Sequence, residues 1–226
     1  MNNRTALVSW SGGKDSCLAL WRARCAGLLI PLLICAMDES GAKSRSHGVP
    51  PELLEAQAAS LGAALQLYDT SWGSYEEKFI ALLRVAAAEG ITQAIFGDID
   101  LLAHREWEER VCTAAGLTAN LPLWGEPRRA LVDEFLGAGF KAVVVCVNRT
   151  FLSEDFCGRE FDAAFLADLP AGVDACGENG EFHTFVYAGP AFSRTVAFER
   201  GRILRYRSPP ELGDTAYCFQ ELIGAR

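Results

Sequence analysis

The sequence predicts an α/β fold in which a doubly wound parallel sheet is followed by a smaller α+β domain. Three observations support this prediction. In the first hundred residues, short apolar runs alternate with stretches of helical periodicity, as in a parallel sheet with helices on both faces. The second half ends in a series of β-rich segments. The chain has 226 residues, enough for two small domains, which we place at 1–118 and 119–226.

Strands and helices are expected in strict alternation through the first domain. Pro50 and Pro51 are tolerated in the first turn of the second helix, and Ser74 and Glu77 have the spacing of a capping box at the start of the third. Ligands of such sheets bind beyond the carboxyl ends of the strands. The predicted order is strand 5–10, helix 17–25, strand 32–37, helix 50–61, strand 65–68, helix 74–89 and strand 94–96.

The second half of the chain is expected to begin with helices and to end with strands. A loop with proline, tryptophan and glycine at 121–127 separates two helices, and the β-branched run at 142–147 is typical of a strand. A loop-rich region precedes the final strands. The predicted elements are helices 104–115 and 128–138 and strands 142–147, 182–187, 195–198, 202–206 and 216–222.

The composition excludes several classes of protein. Half of the residues are hydrophobic and 22% are charged, which is typical of a globular chain and not of a disordered one. The formal net charge is −8, and both halves of the chain are acidic. A phosphate backbone is bound through basic surfaces, so we do not expect nucleic acid as the main partner.

Cysteine usage and hydropathy indicate the compartment. The eight cysteines are scattered and no pair has the C-x-x-C spacing, which fits buried thiols in a reducing environment. No apolar run approaches the roughly 18–20 residues of a membrane span, and the N-terminus lacks the apolar stretch of a signal peptide. We therefore expect a cytoplasmic protein with no membrane partner, and the sequence leaves a homodimer open.

The segment Ser-Gly-Gly-Lys-Asp-Ser at 11–16 joins the first predicted strand to the first predicted helix. Its paired glycines let the backbone approach a ligand closely. The unpaired amides and the dipole of the helix start favour an anion there. Lys14 adds a positive charge, and the carboxylate of Asp15 is a ligand for Mg²⁺. The pattern predicts a phosphate site.

This segment differs from the two common phosphate-binding loops. A Walker A loop would have glycine where Val8 stands and Ser or Thr where Asp15 stands. The dinucleotide fingerprint fails as well, because Gly12 and Gly13 are adjacent instead of alternating. An ordinary glycine turn that caps a helix is the alternative interpretation.

The hexapeptide resembles the PP-loop, S-G-G-x-D-S, of the ATP pyrophosphatases in the adenine-nucleotide α-hydrolase superfamily. The resemblance implies a HUP fold with ATP and Mg²⁺ as cofactors. It also implies cleavage of ATP between the α and β phosphates, with adenylation of a carbonyl oxygen of the substrate while the loop holds the departing pyrophosphate. The residues it assigns to the nucleotide are Ser11, Gly12, Gly13, Lys14, Asp15, Ser16, Met37, Gly97 and Asp98, of which Asp15 is the metal ligand.

Motifs further along resemble the diphthine–ammonia ligase family, from residue 5 to about residue 192. Members of that family adenylate a carboxylate and then let ammonia displace AMP. The resemblance therefore implies an ATP-dependent carboxylate–ammonia ligase that acts on a small-molecule or protein-borne carboxylate. The motifs are G-D-I at 97–99, H-R at 104–105 with Glu109, V-C at 111–112, P-L-W at 122–124, G-R at 158–159 and C-G-E-N-G-E-F-H-T at 176–184.

One departure concerns the substrate. The branch of the family that makes diphthamide usually has E-G-G-E-F-E-[ST] in the C-terminal motif. Here Asn179 and His183 replace glycine and glutamate. This variant resembles a largely bacterial branch in which cobalamin-related amide chemistry is suspected for some members. The resemblance therefore implies the reaction type and leaves the carboxylate substrate open.

The resemblance also implies roles for single residues. The residues expected to carry the chemistry are Lys14, Asp15, Glu178, Glu181 and His183, and the last three of these are expected to bind ammonium or to take its proton. The residues expected to contact the substrate are His47, Arg105, Glu109, Arg159 and Asn179.

Three of these features have structural alternatives. Asn179 and Gly180 form a strong hairpin-turn signal before a strand. Arg105 and Glu109 stand at i and i+4, which fits an exposed ion pair. The segment from Cys176 to His183, with its two glutamates, also provides donors of the kind that zinc takes, without the pairing that makes zinc sites recognisable.

Two other functions compete with the ligase. A different PP-loop chemistry, such as tRNA thiolation, would need a catalytic cysteine pair and a basic surface for RNA. A nucleotide sensor that binds ATP without turnover would have no use for the acidic C-terminal motif.

Overall fold

The computed structural model describes residues 4–71, 73–210 and 213–225. A parallel sheet in the order β3-β2-β1-β4-β5 forms the N-terminal part. The chain moves outward from β1 first on one side and then on the other, so the switch point for ligand binding lies between the carboxyl ends of β1 and β4. The strands are β1 (Thr5–Ser9), β2 (Leu29–Met37), β3 (Ala64–Asp69), β4 (Gln93–Ile95) and β5 (Thr118–Asn120).

Helices cover both faces of this sheet, because alternate residues of each strand point to opposite faces. Val8 of β1 belongs to a core that includes side chains of α1 and α2. The preceding Leu7 belongs to a second core, built with α3 and α4. This arrangement confirms the predicted doubly wound α/β fold. The helices are α1 (Lys14–Cys25), α2 (Pro51–Leu61), α3 (Tyr75–Ala88) and α4 (Leu102–Ala115).

A separate antiparallel sheet forms most of the C-terminal part, in the order β7-β6-β9-β8. Its apolar side chains continue the core that contains α1, so the two sheets are packed together through that helix. The elements are α5 (Arg128–Gly137), β6 (Lys141–Asn148), a 3₁₀ turn (Glu154–Phe156), α6 (Ala163–Asp168), β7 (Phe182–Ala188), β8 (Phe198–Arg207) and β9 (Ala216–Gly224).

Gln57 of α2 fixes the loop after β1 against the second sheet. Its side chain is 0% exposed. Its Nε2 donates to the carbonyl oxygens of Gly12 (3.0 Å) and Val186 (2.6 Å), and its Oε1 accepts from Nε1 of Trp10 at 3.0 Å. The amide of Val186 in turn donates to the carbonyl of Gly12 at 2.9 Å. The backbone of the 11–16 segment is therefore held between the two sheets.

Some local predictions were wrong. Residues 118–120 form β5, a strand that was not predicted because it contains no apolar run. The segments predicted at 195–198 and 202–206 contribute to one strand that begins at Phe198. Ser74 does not form a capping box, because its backbone is helical (φ −112°, ψ 0°) and its hydroxyl accepts from the amide of Ser71.

The predicted reduced state of the cysteines agrees with the structure. All eight lie within the described ranges and all are free; seven are buried, and Cys25 is exposed. In the parts of the chain that the structure describes, no helix combines the length and apolar character that crossing a bilayer requires.

Candidate active site

A cavity of about 710 Å³ opens at the carboxyl ends of β1, β2 and β4. The 11–16 segment and Gly97–Asp98 form its floor, and residues 44–47 form one side. The segment around Glu178 to Thr184, which enters β7, covers it from the second sheet. The cavity therefore lies at the predicted switch point, and both parts of the chain contribute to its walls.

The 11–16 segment is held in a loop conformation by its own side chains and by β7. Ser11 Oγ lies 3.0 Å from Ser16 Oγ and accepts from the amide of Gly13 at 3.2 Å. The amide of Lys14 donates to Oγ1 of Thr184 at 3.0 Å. Thr184 thereby satisfies one of the amides that a helix start leaves unpaired. The second sheet thus takes part directly in the phosphate-loop geometry.

Two glycines in this region have conformations or contacts that a side chain would disturb. Gly12 has φ +80°, in the left-handed region that favours glycine. A Cβ atom on Gly97 would lie 2.7 Å from the amide nitrogen of Ser16 and 2.8 Å from the carbonyl carbon of Asp15. Gly97 therefore lets the end of β4 pack against the start of α1, which brings Asp98 beside the loop.

Lys14 and two carboxylates form a charged group beside the loop. Lys14 Nζ lies 2.6 and 2.8 Å from the carboxylate oxygens of Asp15 and 3.8 Å from Oε1 of Glu178. Lys14 is only 6% exposed. Burial opposes its charge, but the neighbouring carboxylates outweigh this effect and raise the pKa of its ammonium group. Lys14 is therefore a buried, permanently charged cation at the site where an anion is expected.

Glu178 has an unusual protonation behaviour in this setting. Burial, together with the charge of Asp15, raises the pKa of its carboxyl to about 7 against the opposing effect of Lys14. Donor atoms of Asp15, Cys176 and Glu178 lie within 4.8 Å of one another. Burial raises the pKa of the Cys176 thiol to about 12, so at neutral pH it is a protonated thiol and not a thiolate ligand. The oxygen donors suit Mg²⁺ better than zinc.

The loop that carries Glu178 is built around two other carboxylates. Glu181 is 1% exposed, and it accepts from the amides of Asp174 (3.1 Å) and Asn179 (2.9 Å) and from Nδ2 of Asn179 (3.0 Å). Asp174 accepts from the amides of Cys176 (3.0 Å) and Glu178 (3.2 Å). Glu181 and Asn179, which we expected at the chemistry and the substrate, have polar atoms engaged in shaping this loop, and Oδ1 of Asn179 also accepts from Arg128 of α5.

Arg128, at the start of α5, ties this loop to the other side of the cavity. Its guanidinium makes a bidentate pair with Asp100 at 2.7 and 2.8 Å. It also donates to Asp174 at 2.7 Å and to Oδ1 of Asn179 at 3.2 Å. Asp100 follows Asp98 by two residues, so Arg128 links the two loops that present Asp98 and Glu178.

Two histidines face each other on the covered side of the cavity. Nδ1 of His47 lies 2.7 Å from the carbonyl oxygen of Thr184, and the rings of His47 and His183 are 4.6 Å apart. Burial lowers the pKa of His47 to about 4 and holds the pKa of His183 well below its ordinary value. Both imidazoles are therefore neutral near pH 7.

A second carboxyl pair lies on the opposite wall. Oδ1 of Asp98 lies 2.7 Å from Nδ1 of His104, and Glu108 of α4 is hydrogen-bonded to the same carboxylate. Burial opposes the charge of Asp98, but these two hydrogen bonds hold the pKa of Asp98 below its usual range. Burial and the contact with Asp98 raise the pKa of Glu108 to about 10. Asp98 is therefore ionised and Glu108 is neutral at pH 7.

Comparison with known proteins supports the family that the motifs indicated. A model of the diphthamide synthase N-terminal domain matches residues 4–119, and a model of the C-terminal domain of the same synthase matches residues 127–207. This chain belongs to the diphthamide synthase family. The 11–16 segment lies in the range matched by the N-terminal model, and the loop of Glu178 lies in the range matched by the C-terminal model.

Three curated proteins similar to this chain are named diphthine–ammonia ligase. Diphthine–ammonia ligase of Homo sapiens is 26% identical and matches 86% of this chain and 82% of its own length. The Bos taurus protein of the same name is 26% identical, with 94% and 89% covered. The Schizosaccharomyces pombe protein is 23% identical over 88% of this chain and 36% of its own length. With relatives of this kind, this chain is an enzyme of the ligase class.

One solved structure is also similar, that of a predicted subunit of tRNA methyltransferase from Methanocaldococcus jannaschii. The TM-score is 0.43 and the sequence identity is 20%, and the match covers 62% of this chain and 80% of the other chain. The fold assignment above rests on the observed strand order and not on this match.

Several residues that we expected in the site from the sequence do not line the cavity. Met37 is fully buried in the core, and neighbouring residues of β2 line the cavity in its place. Arg105 and Glu109 form an exposed ion pair (2.7 Å), and Arg105 lies over the ring of Trp124. Arg159 pairs with an aspartate of α6 at 2.8 Å. These three side chains are not part of the cavity lining, and the Arg105–Glu109 contact has the form of the exposed ion pair given above as the structural alternative.

Other residues of the site were not predicted from the sequence. Arg128 and Glu108 had no motif to single them out, because their partners lie in other segments of the chain. Thr184 was part of a quoted motif without a role. Gln57 looked like an ordinary helical residue. The sequence signal that could have pointed to Gln57 is a polar residue at a position of the predicted helix whose neighbours are mostly apolar.

Proposed function

We propose that this chain is an ATP-dependent amide ligase that adenylates a substrate carboxylate and then amidates it with ammonia. The observation that supports it most is the placement of a PP-type loop, with buried Lys14, on the floor of a cavity that also contains Glu178. Phosphate-binding and acid–base groups thus meet in one cavity, as a two-step acyl-transfer reaction requires. The names of the relatives give the same reaction type.

In the first step a substrate carboxylate oxygen attacks the α-phosphorus of ATP, an O–P bond forms, and pyrophosphate leaves. The loop amides and Lys14 would hold the outer phosphates. Pre-placed positive charge stabilises the charge that grows on the leaving pyrophosphate. In the structure Lys14 is paired with Asp15, so phosphate binding requires Lys14 Nζ to share or leave that contact.

The donor set beside the loop fits Mg²⁺, since Asp15 provides carboxylate oxygens next to the expected phosphates and Mg²⁺ is commonly held by one or two carboxylates plus phosphate. Asp15 would hold the ion. When bound, Mg²⁺ would neutralise phosphate charge during the attack. Lys14, which is already charged, would act on the same phosphates from the protein side.

In the second step ammonia attacks the acyl carbon and a C–N bond forms. The C–O bond to the adenylate breaks, and AMP leaves with that oxygen still bonded to phosphorus. Ammonium must lose a proton before it can attack. Asp15 and Glu178 are carboxyl groups of the cavity next to Lys14. Asp15 is assigned to the ion, so we assign the proton acceptor to Glu178. Glu181 and His183 are less suited, because Glu181 is engaged within its loop and His183 is a weak base.

The carboxylate substrate is the open part of the proposal. A diphthine-type substrate follows from the names of the relatives, and the Asn179 and His183 variant of the motif keeps corrinoid acids as alternatives. Thiolation of tRNA is less favoured, because burial raises the pKa of Cys176, whose thiol lies 3.9 Å from Oδ1 of Asp15, to about 12. A sensor without turnover would leave Glu178 unused.

The test is product analysis with ATP, ammonium and a panel of carboxylates that includes elongation factor 2 bearing diphthine and corrinoid acids. We expect AMP, pyrophosphate and a primary amide. Lys14→Ala should abolish turnover, and Lys141→Ala, an exposed lysine at the start of β6, is the control of equal charge. ADP and phosphate as products would contradict the proposal, and AMP formation without an amide would leave only the adenylation half.

A further inference from the structure

Glu108 is a buried carboxyl in the cavity wall that the proposed reaction does not use. It belongs to α4, lines the cavity and is 3% exposed. Its Oε2 atom is buried and has no hydrogen-bond partner among the residues that the structure describes. An ionised carboxylate without partners is costly to bury. The position therefore favours a neutral carboxyl group.

Among the described residues, the groups that act on the pKa of Glu108 are acids. Asp98, from the loop after β4, is hydrogen-bonded to it and is itself ionised. Glu109 on the same helix acts on it as well. Cys112 on that helix and Tyr75 on α3 lie near enough for Glu108 to act on their own pKa values. His104, also on α4, donates to Asp98. A negative charge on Glu108 would therefore be repelled by Asp98 and Glu109.

We propose that Glu108 is a positioning residue that works as a neutral carboxylic acid, donating a hydrogen bond to Asp98 so that Glu108 and His104 together fix the Asp98 carboxylate in the cavity. Two carboxyl oxygens at hydrogen-bond distance need one proton between them, and the buried member keeps it. Asp98 then remains an oriented anionic acceptor beside the phosphate loop. The effect of Glu108 on turnover rests on the proposed function, whereas its protonation state does not.

This proposal separates substitutions that look equally severe. Glutamine is neutral and has an amide N–H₂ that can donate to Asp98, so Glu108→Gln should preserve the arrangement. Methionine fills a similar volume without a donor, so Glu108→Met should release Asp98. If Glu108 instead worked as an anion, for example as a metal ligand or a base, both variants would be impaired alike. Glu106→Gln, on an exposed position of α4, is the matched control.

The first experiment measures protonation directly and needs no nucleotide. Protein labelled with ¹³C at the glutamate side-chain carboxyl is titrated by NMR from pH 4 to pH 10, and the Glu108 and Glu106 resonances are assigned by their loss in the Gln variants. We expect Glu108 to remain protonated at pH 7.5 while Glu106 is ionised. A Glu108 resonance that titrates together with Glu106 overturns the proposal.

The second experiment measures pyrophosphate release against pH. We expect Glu108→Gln and Glu106→Gln to stay within about twofold of the wild type in kcat/KM at pH 7.5, and Glu108→Met to lose at least about tenfold. Above about pH 9 the wild type should lose activity as Glu108 ionises, and Glu108→Gln should keep it. Equal losses in the Gln and Met variants overturn the proposal, as does an alkaline limb that Glu108→Gln leaves in place.

The two experiments also separate this inference from the proposed function. Wild-type protein that releases no pyrophosphate with any carboxylate would contradict the ligase proposal, and the NMR titration would still decide the state of Glu108. Circular dichroism and thermal unfolding establish whether Glu108→Met is folded. If it is not, the glutamine variant and the titration decide the question without it.

Discussion

Replacing Gly97 by alanine is expected to disturb the phosphate loop through backbone contacts. The added Cβ would lie 2.7 Å from the amide nitrogen of Ser16 and 2.8 Å from the carbonyl carbon of Asp15. Real Cβ atoms do not approach backbone this closely, and neither atom can rotate away as a side chain could. Gly97 is not in the left-handed region, so backbone strain adds nothing and the effect comes from the contact alone.

The magnitude follows from the contact. Inserting one methyl group into a packed site costs about 1–3 kcal/mol, and about 1 kcal/mol lowers Tm by about 2–4 °C in a chain of this size. We therefore expect Gly97→Ala to lower Tm by roughly 2–12 °C. Because α1 and the end of β4 must move apart, the amides of the 11–16 loop shift as well. We therefore expect the affinity for a non-hydrolysable ATP analogue to fall by about tenfold, or about 1.4 kcal/mol.

Thermal unfolding and calorimetric titration with the analogue test this. Gly137→Ala is the control, since a Cβ at that position at the end of α5 has no heavy atom within 4 Å. It should keep the affinity and gain about 0.4–1 kcal/mol in stability through the unfolded chain. A Gly97→Ala protein with the Tm and affinity of the wild type would show that β4 does not support the loop as described.

Three further predictions concern other parts of the site. Gln57→Leu should lower the free energy of unfolding by about 1–3 kcal/mol, because buried partners lose their hydrogen bonds; an unchanged urea midpoint would refute this. Arg128→Ala should lower pyrophosphate release by about tenfold (about 1.4 kcal/mol) and speed proteolytic cleavage within 171–181, whereas the exposed Arg129→Ala should do neither; equal behaviour of the two variants would contradict the linking role of Arg128. His47 has a pKa of about 4, below its ordinary value, so its stabilising contribution is present above pH 6.5 and is lost as the pH falls towards 4. His47→Asn cannot titrate there, and urea unfolding at pH 7 and pH 4.5 should show a smaller loss of stability than in the wild type; an equal loss would exclude His47 as the cause.

The alternation of strands and helices could be predicted because its signals are local. The apolar run of β2 and the glycine after α2 each act within a few residues, and hydrophobic periodicity reports which faces are buried. β5 escaped prediction because its three residues, Thr118–Asn120, become a strand only by pairing with β4. The capping box at Ser74 failed because the backbone there follows the preceding turn and not the sequence pattern.

The candidate site divides in the same way. The loop at 11–16 was predicted, since a strand, paired glycines, a lysine and a helix start lie next to one another in the chain. The motif at 176–184 was found as well, but which of its side chains line the cavity could not be predicted. Glu178 projects to Lys14 and Glu181 turns into its own loop, although they are three residues apart and of the same type. Which of the two faces the cavity depends on how the 174–181 loop folds around Asp174.

The amino-acid sequence alone determined the doubly wound sheet, the position of the glycine-containing loop at 11–16 and the family to which the chain belongs, because each of these depends on residues close together in the chain. Only the tertiary structure decided which carboxyls reach the cavity and in which protonation state. Glu108 is neutral because it is buried and in contact with Asp98, and Asp98 is ionised because Glu108 and His104 are hydrogen-bonded to it. Arg128 binds partners that are 28–51 residues away in the chain. Burial and electrostatic interactions between distant segments exist only once the chain has folded.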